Sequence, residues 1–246
     1  MKEYMVDAFV LKSVKAREAD RVLTLFTRQA GKKRVMAYGV EKPTSRKRGA
    51  VQPFGYSKLL IRRGRDLDSV SQGEGIEIFP ALRRSLDGLA MASYLAELVD
   101  AITPDEDPNA DVFQLLLDTF SLLGGDSAFT AVRAFEIKLV SYLGYRPELD
   151  CCILCGKPPG DEKVRFVPEQ GGVVCSGCLS GPAQFLEISR GALENMKTLL
   201  RWEMGRIHRL KISPYAGREI KNVMRRYIGF YLEKGIKSLT FEELLE

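Results

Sequence analysis

Apolar positions follow two different periods along this chain, and the change falls near residue 80. Before it, short runs with strand character are separated by polar turns. Met5–Val14 alternates loosely and ends at the charged stretch 15–20. Arg21–Thr27 (R-V-L-T-L-F-T) is a continuous β-rich run. Ala30-Gly31 turns the chain into Lys33–Val40, and a polar loop over 41–53 leads to Phe54–Ile61. Gly64-Arg65-Asp66 then turns into Leu67–Phe79. Runs rich in β-branched and aromatic residues, punctuated by Gly, Asp and Pro, predict strands. Five of them within the first 79 residues predict a small closed barrel rather than a sandwich.

After Pro80 the period becomes helical. Leu82, Leu86, Leu89, Leu95, Leu98, Val99 and Ile102 predict a helix over Leu82–Ile102. Thr103–Pro108 reads as a linker carrying a helix start signal, and Asp111–Leu123 as a second helix stopped by Gly124-Gly125. Asp126 or Ser127 can cap a third helix running to Gly144. It is apolar nearly all round and so predicted to be the centre of a helical core. Ser189 can cap a helix through Met204, and Pro214 opens a long last one. There Ile220, Val223, Met224, Tyr227, Ile228 and Tyr231 form one stripe, with Arg218, Lys221, Arg225 and Arg226 largely off it. Glu242-Glu243 reads as a solvated helix end. The helices before and after the cysteine segment are predicted to pack into one α domain.

Between these helices lie four of the five cysteines: Cys152-x2-Cys155, nineteen residues, then Cys175-x2-Cys178. Two such pairs match a closed four-thiolate zinc site, which leaves no open position for water or substrate. Gly156 and Gly177 sit where tight turns bring paired thiolates onto one ion. Val164–Pro168 is strand-like and Gly171-Gly172-Val173-Val174 turns back towards the metal, so the insert reads as a small zinc ribbon. Two disulfides, or four unrelated buried cysteines, are the alternatives, and Cys151 can replace Cys152 at a looser spacing. The predicted architecture is α+β and multidomain: a five-stranded barrel (1–79), an α-helical domain (80–150 and 180–246) and a zinc ribbon inserted at 151–179.

Net charge over 246 residues is only +5, but it is unevenly placed. Residues 28–65 hold twelve basic side chains (Arg28, Lys32, Lys33, Arg34, Lys42, Arg46, Lys47, Arg48, Lys58, Arg62, Arg63, Arg65) against Glu41 alone, net +11, and the rest is net −6. The natural candidate for a five-stranded closed barrel is an OB-fold, whose strand 2–3 face and adjoining loops bind oligonucleotides, and the basic residues fall on its turns and loops. The twelve cations are candidate phosphate contacts. Tyr38 and Tyr56 are candidate stacking residues; Phe26 and Phe54 read as core. No base-reading helix is evident, which favours sequence-independent binding. Five phosphate contacts would give a salt slope of about −3.5 on a single strand. Reversing Lys32, Lys33 and Arg34 together is expected to weaken binding with little change in melting temperature. A solvated barrel surface is the bland reading of the same charge.

Other chemistry is poorly supported. His208, the one histidine, lies in a basic stretch with no orienting carboxylate nominated. Asp66-x-Asp68 sits at a strand turn, where Asp serves its own backbone; divalent-metal nuclease chemistry would need it. Phosphate-loop and dinucleotide glycine motifs are absent, so no nucleotide hydrolysis or dinucleotide chemistry is indicated. With no long apolar run and an acidic residue at once in Met1-Lys2-Glu3-Tyr4, neither a membrane span nor a secretory signal is expected. Clustered thiols suggest a reducing cytoplasm.

Several segments, in this order, resemble the RecO family of bacterial recombination mediators: Ala8-Phe-Val-Leu-Lys12, Glu18-Ala-Asp-Arg-Val22, the loop Gly39–Phe54, Gly144-Tyr-Arg-Pro-Glu-Leu149, Cys152-Ile-Leu-Cys155-Gly156 and Gly171-Gly172-Val-Val-Cys175. The resemblance covers the whole chain. It implies an N-terminal OB domain, an α-helical domain and a zinc ribbon. It also implies binding of single- and double-stranded DNA, annealing of complementary strands, and loading of RecA onto strands coated by single-strand-binding protein, all noncovalent, so that no enzyme activity is expected. Implied partners are RecR and the acidic, apolar C-terminal tail of single-strand-binding protein; the implied location is the cytoplasm, at the nucleoid. Arg218, Lys221, Arg225 and Arg226 are a candidate tail site, with an ordinary amphipathic helix as the alternative. An RNA-binding OB-fold protein is the competing functional reading.

Overall fold

The computed structural model of the protein describes residues 2–160, 164–178 and 184–235. By packing, the chain divides into two compact units, Met1–Gly125 and Asp126–Glu246. Glu242-Glu243 lies outside the described residues.

The first unit is built on a closed five-stranded barrel. Its strands are β1 (Glu3–Lys15), β2 (Arg21–Thr27), β3 (Gly31–Ala37), β4 (Tyr56–Arg62) and β5 (Asp68–Glu77), paired in the order β1-β2-β3-β5-β4 and back to β1. β3 and β5 run parallel and every other pair antiparallel, as in an OB-fold. The long β1 closes the barrel. Glu3–Phe9 pairs with β4 and Ala8–Lys15 with β2, and the register shifts between Val10 and Lys12. A bulge of this kind bends a strand enough to serve both neighbours. Val6, Ala8, Val10, Leu23, Leu25, Val35, Leu59, Ile61 and Val70 fill the interior. A 3-10 turn over Gly49–Val51 adds Ala50 and Val51 to this core. It approaches β5 so closely that a Cβ on Gly73 would stand 2.9 Å from the Ala50 methyl.

Two helices belong to the same unit, α1 (Leu86–Ile102) and α2 (Ala110–Leu122). Ser85 caps α1, accepting from the Gly88 N–H, and Asn109 caps α2, accepting from the Val112 N–H. The chain over Leu82–Arg84 is a 3-10 turn, so α1 starts four residues later than its apolar period suggests. On the outer barrel wall, Phe9 stacks edge-on to Phe120 of α2 at 4.6 Å, and Tyr56 meets Phe113 at 5.8 Å. This explains the loose alternation of β1: Ala8 and Val10 face the interior, while Phe9 is equally buried on the opposite face. Aromatic packing ties α2 to the barrel, so the first compact unit runs on to Gly125.

The second unit is centred on α3 (Ala128–Tyr142), buried along most of its length. Ser127 precedes it without a side-chain cap bond. Its neighbours are α4 (Arg190–Arg201), capped by Ser189, and α5 (Pro214–Gly235). The predicted α4 ends at Arg201 rather than Met204, and Met204–Arg209 forms a separate 3-10 segment packed on α3. Lys138 of α3 donates to the Leu200 carbonyl at 2.9 Å, placing a cation at the C-terminus of α4, where the helix dipole is negative. Three short strands complete the unit: β6 (Val164–Val167), β7 (Gly172–Val174) and β8 (Leu186–Ile188), in the order β7-β6-β8. No helix among the described residues is long and apolar enough to cross a membrane.

Candidate nucleic-acid interface and metal centre

Strand register sorts the twelve barrel cations into two groups. β3 and β5 meet at Val35↔Asp68 and Met36↔Ser69, and β4 meets β5 at Arg62↔Ser69. Arg34 of β3 and the turn carrying Arg63 and Arg65 are thereby brought to one side of the barrel. Lys47 pins the neighbouring loop there by donating to the Val70 carbonyl at 2.9 Å. Burial draws Lys47 below the ordinary lysine value, with Asp20 opposing and Arg62 adding to the shift. The same loop carries Lys42, Arg46 and Arg48. Arg34, Lys42, Arg46, Arg48 and Arg65 are exposed, and their side chains have no ion-pair or hydrogen-bond partner among the described residues. Arg63 lies over the Tyr4 ring at 5.7 Å. Tyr38, at the start of the loop, is half exposed.

Four of the other cations are committed elsewhere. Lys32 donates to the carbonyls of Asp100 (2.6 Å) and Thr103 (2.8 Å), and its ammonium lies 3.5 Å from the Asp100 carboxylate and 3.3 Å from that of Asp105. Lys33 pairs with Glu106 at 2.6 Å. Both follow from the path of the α1–α2 linker, which runs beside β3 with a Lys32↔Asp105 bridge. Gly31 permits this approach: a Cβ there would sit 2.3 Å from the Asp107 carbonyl oxygen. Arg28 donates to Gln114 and covers the Phe113 ring at 4.9 Å. Arg62 pairs with Glu3, whereas Lys58 is exposed, in register between Asp7 and Glu74 on the flanking strands but without an ion pair among the described residues. Tyr56, a stacking candidate by sequence, is turned inwards, its hydroxyl donating to Asp7 at 3.0 Å and its ring against Phe113. Phe26 is fully buried, as expected. Nothing in the sequence pattern marks Lys32 or Lys33 as different from Arg34; the linker that captures them lies some seventy residues away.

Asp66 and Asp68 do not form a cation site with a third ligand among the described residues. Asp68 instead accepts from the Tyr4 hydroxyl at 2.5 Å and the Gly64 N–H at 3.1 Å. Burial alone would raise its carboxyl, but these two bonds, with Lys33 and Arg63 nearby, hold it below the ordinary value.

The cysteine segment is assembled on the small sheet. β6 and β7 pair at Phe166↔Val173, and the first knuckle is stitched to β7 through Ile153 N–H to the Val173 carbonyl (3.0 Å) and Val173 N–H to that of Glu148 (3.0 Å). Cys152, Val167 and Val174 form a small buried cluster. The knuckle closes by Gly156 N–H to the Cys152 carbonyl at 2.8 Å, with Gly156 at φ 72°, the left-handed region glycine favours. Gly177 shows no such requirement. Phe166 packs edge-on against Tyr227 of α5 at 5.4 Å, anchoring the ribbon to its own unit.

This scaffold brings the sulfurs of Cys152, Cys155, Cys175 and Cys178 within 4.8 Å of one another. The Cys155–Cys175 separation is 3.6 Å and Cys175–Cys178 3.2 Å. Four thiolates around one tetrahedral ion stand about 3.8 Å apart, so the donor set and its spacing fit a metal ion with no disulfide formed. Burial pushes the Cys152 thiol up, but N–H groups of Cys175, Cys155 and Leu154 outweigh it and draw the thiol down to about 6. Backbone polarity thus favours a thiolate there. Cys178 is pushed up to about 12 by its contacts with Cys175 and Cys155, as expected of sulfurs crowded for a shared cation. Cys151 lies outside the cluster and Cys152 inside it.

Comparison with known proteins agrees with the architecture. Residues 1–79 match the family model for the recombination protein O N terminal, and residues 83–240 that for the recombination protein O C terminal. A protein of Pelotomaculum thermopropionicum named DNA repair protein RecO is 46% identical over 98% of this chain and 94% of its own length. Proteins of the same name from Desulforamulus reducens (42% identical, 100% and 96% covered) and Desulforudis audaxviator (39%, 98% and 96%) are also similar end to end. The barrel, the helical unit and the four-cysteine cluster therefore stand in a chain that belongs to the recombination protein O family.

Proposed function

We propose that this protein is a DNA repair and recombination mediator that binds DNA noncovalently through its barrel. It takes single and double strands without reading sequence. The observation that carries the reading is the cluster of partner-free cations beside β3 and β5, on the side of an OB barrel that α2 leaves uncovered. Cations held on a rigid wall neutralise phosphates and release counterions, and a half-exposed Tyr38 offers a stacking face. Annealing follows from the same physics: screening lowers the repulsion between two backbones, and base pairing supplies the free energy. No bond is made or broken, so the protein acts without being an enzyme.

The family reading extends this to loading RecA onto strands coated by single-strand-binding protein, with RecR and the tail of single-strand-binding protein as partners in the cytoplasm. The metal in this reading is one zinc per chain, held by Cys152, Cys155, Cys175 and Cys178. Zinc bound there closes the ribbon, and its four-sulfur shell leaves it no substrate position. Annealing of complementary oligonucleotides at low salt, without ATP or added metal, tests the reading. Failure of folded protein to accelerate it would overturn the proposal.

A further inference from the structure

A second concentration of positive charge lies in the helical unit. Residues 204–226 carry seven Lys/Arg and one acidic residue, Glu219, net +6, a density close to that of the barrel segment. Outside these two segments the chain is net −12. Glu219 is occupied in bonds to Ser189 and does not answer the cations. Arg206, Arg209 and Lys211 are exposed on and just after the 3-10 segment that leads into α5, and Arg218, Lys221, Arg225 and Arg226 on the face of α5 opposite its buried stripe. None of the seven has an ion-pair partner among the described residues. By contrast Lys197 and Arg201 of α4 both pair with Asp150, and Lys197 with Glu194 as well.

Aromatic faces are interleaved with these charges. Arg206 lies over the Trp202 ring at 5.3 Å, and Tyr215, in the first turn of α5, is 59% exposed. Stacking platforms among guanidinium groups are what a single strand requires. An acidic, apolar peptide needs an apolar pocket. The exposed positions of α5 between Arg218 and Arg226 are Lys221, Asn222 and Arg225, with no apolar side chain among them. From Arg218 to Arg226 the helix advances about 12 Å, room for two or three stacked nucleotides beyond those reached by Arg206–Lys211.

We infer that the connection into α5 and the cationic face of α5 form a second single-strand-binding surface, separate from the one on the barrel. One chain then holds two strands at once, one on each unit. This rests on the nucleic-acid reading of the barrel. It deepens that reading by giving annealing a partner strand on the same molecule, so that encounter no longer needs two loaded proteins.

The test is titration of wild-type protein with a labelled oligo-dT of about ten nucleotides at low salt, followed by stopped-flow annealing. Two variants are compared: Arg209→Glu/Lys211→Glu/Arg218→Glu/Arg225→Glu in the helical unit and Arg34→Glu/Arg46→Glu/Arg48→Glu/Arg65→Glu on the barrel. The expected result is two oligonucleotides per wild-type chain and one per chain for either variant, with annealing slowed at least about tenfold in both. Metal content and melting temperature should stay at wild-type values. A stoichiometry of one for the wild type, or a helical-unit variant still binding two, overturns the second surface. Loss of all binding in each variant overturns it too, because it shows one continuous site. If the helical-unit variant loses only a labelled acidic peptide with an apolar terminus, the surface is a peptide dock and the proposal fails. Wild-type protein that binds no oligonucleotide refutes the barrel reading itself, a distinct outcome.

Discussion

Replacing Lys32 by alanine separates a structural cation from its exposed neighbours. Its ammonium satisfies two carbonyls at the C-terminal end of α1, at 2.6 and 2.8 Å, and faces two carboxylates within 3.5 Å, with its side chain 11% exposed. Charged hydrogen bonds contribute about 1.5–3 kcal/mol each, and the carbonyls left behind are partly desolvated, so the loss is about 3 kcal/mol. For a unit of this size that lowers the melting temperature by roughly 10 °C. Arg34→Ala, two residues along the same strand, removes an exposed side chain without a partner and should shift melting by no more than about 2 °C. Binding should respond in reverse. Arg34→Ala lowers the magnitude of the single-strand salt slope by about 0.7, and Lys32→Ala, measured well below its melting point, leaves it unchanged. Thermal melts and salt titrations of a labelled oligonucleotide decide between them. A Lys32→Ala protein as stable as wild type with weakened binding would refute the division of the cations, and so would an Arg34→Ala protein that melts early. The triple reversal at Lys32, Lys33 and Arg34 is expected to lose stability and affinity together, because two of its three sites hold the α1–α2 linker.

Three further outcomes follow from other parts of the structure. Cys175→Ser should abolish stoichiometric metal by elemental analysis and lower the stability of the helical unit by several kcal/mol, while DNA binding by the barrel persists at temperatures where that unit is folded. Asp68 is held below its ordinary 3.8 by the Tyr4 hydroxyl and the Gly64 N–H, so it stabilises the fold above that value. The contribution is lost as pH falls through the depressed one, and Asp68→Asn should flatten the melting-temperature profile below about pH 4. Phe120→Ala empties a site shared with Phe9, Phe54 and Phe79 and should cost about 3–5 kcal/mol in denaturant unfolding of the barrel unit.

Much of the architecture was legible in local pattern. Arg21–Thr27 appears as a strand with the bounds read from sequence, and Ser189 and Pro214 stand at the starts of α4 and α5. These signals are local: period, caps and breakers act within one or two turns of chain. The metal site was legible for a related reason. Two Cys-x2-Cys pairs constrain their own knuckles, and only the choice of Cys152 over Cys151 needed the β7 pairing that turns Cys152 inwards.

Side-chain commitment was not legible. A basic residue reads the same in sequence whether it meets solvent or a helix terminus. Lys32 and Arg34 differ because the Thr103–Asp107 backbone passes one and not the other, and Tyr38 and Tyr56 differ because α2 covers one. The sequence by itself determined the elements, the thiolate set and the regional excess of charge, all properties of short stretches. Only the tertiary structure decided which cations remain available, since hydrogen bonding and desolvation are set by neighbours as far as 86 residues away in the chain.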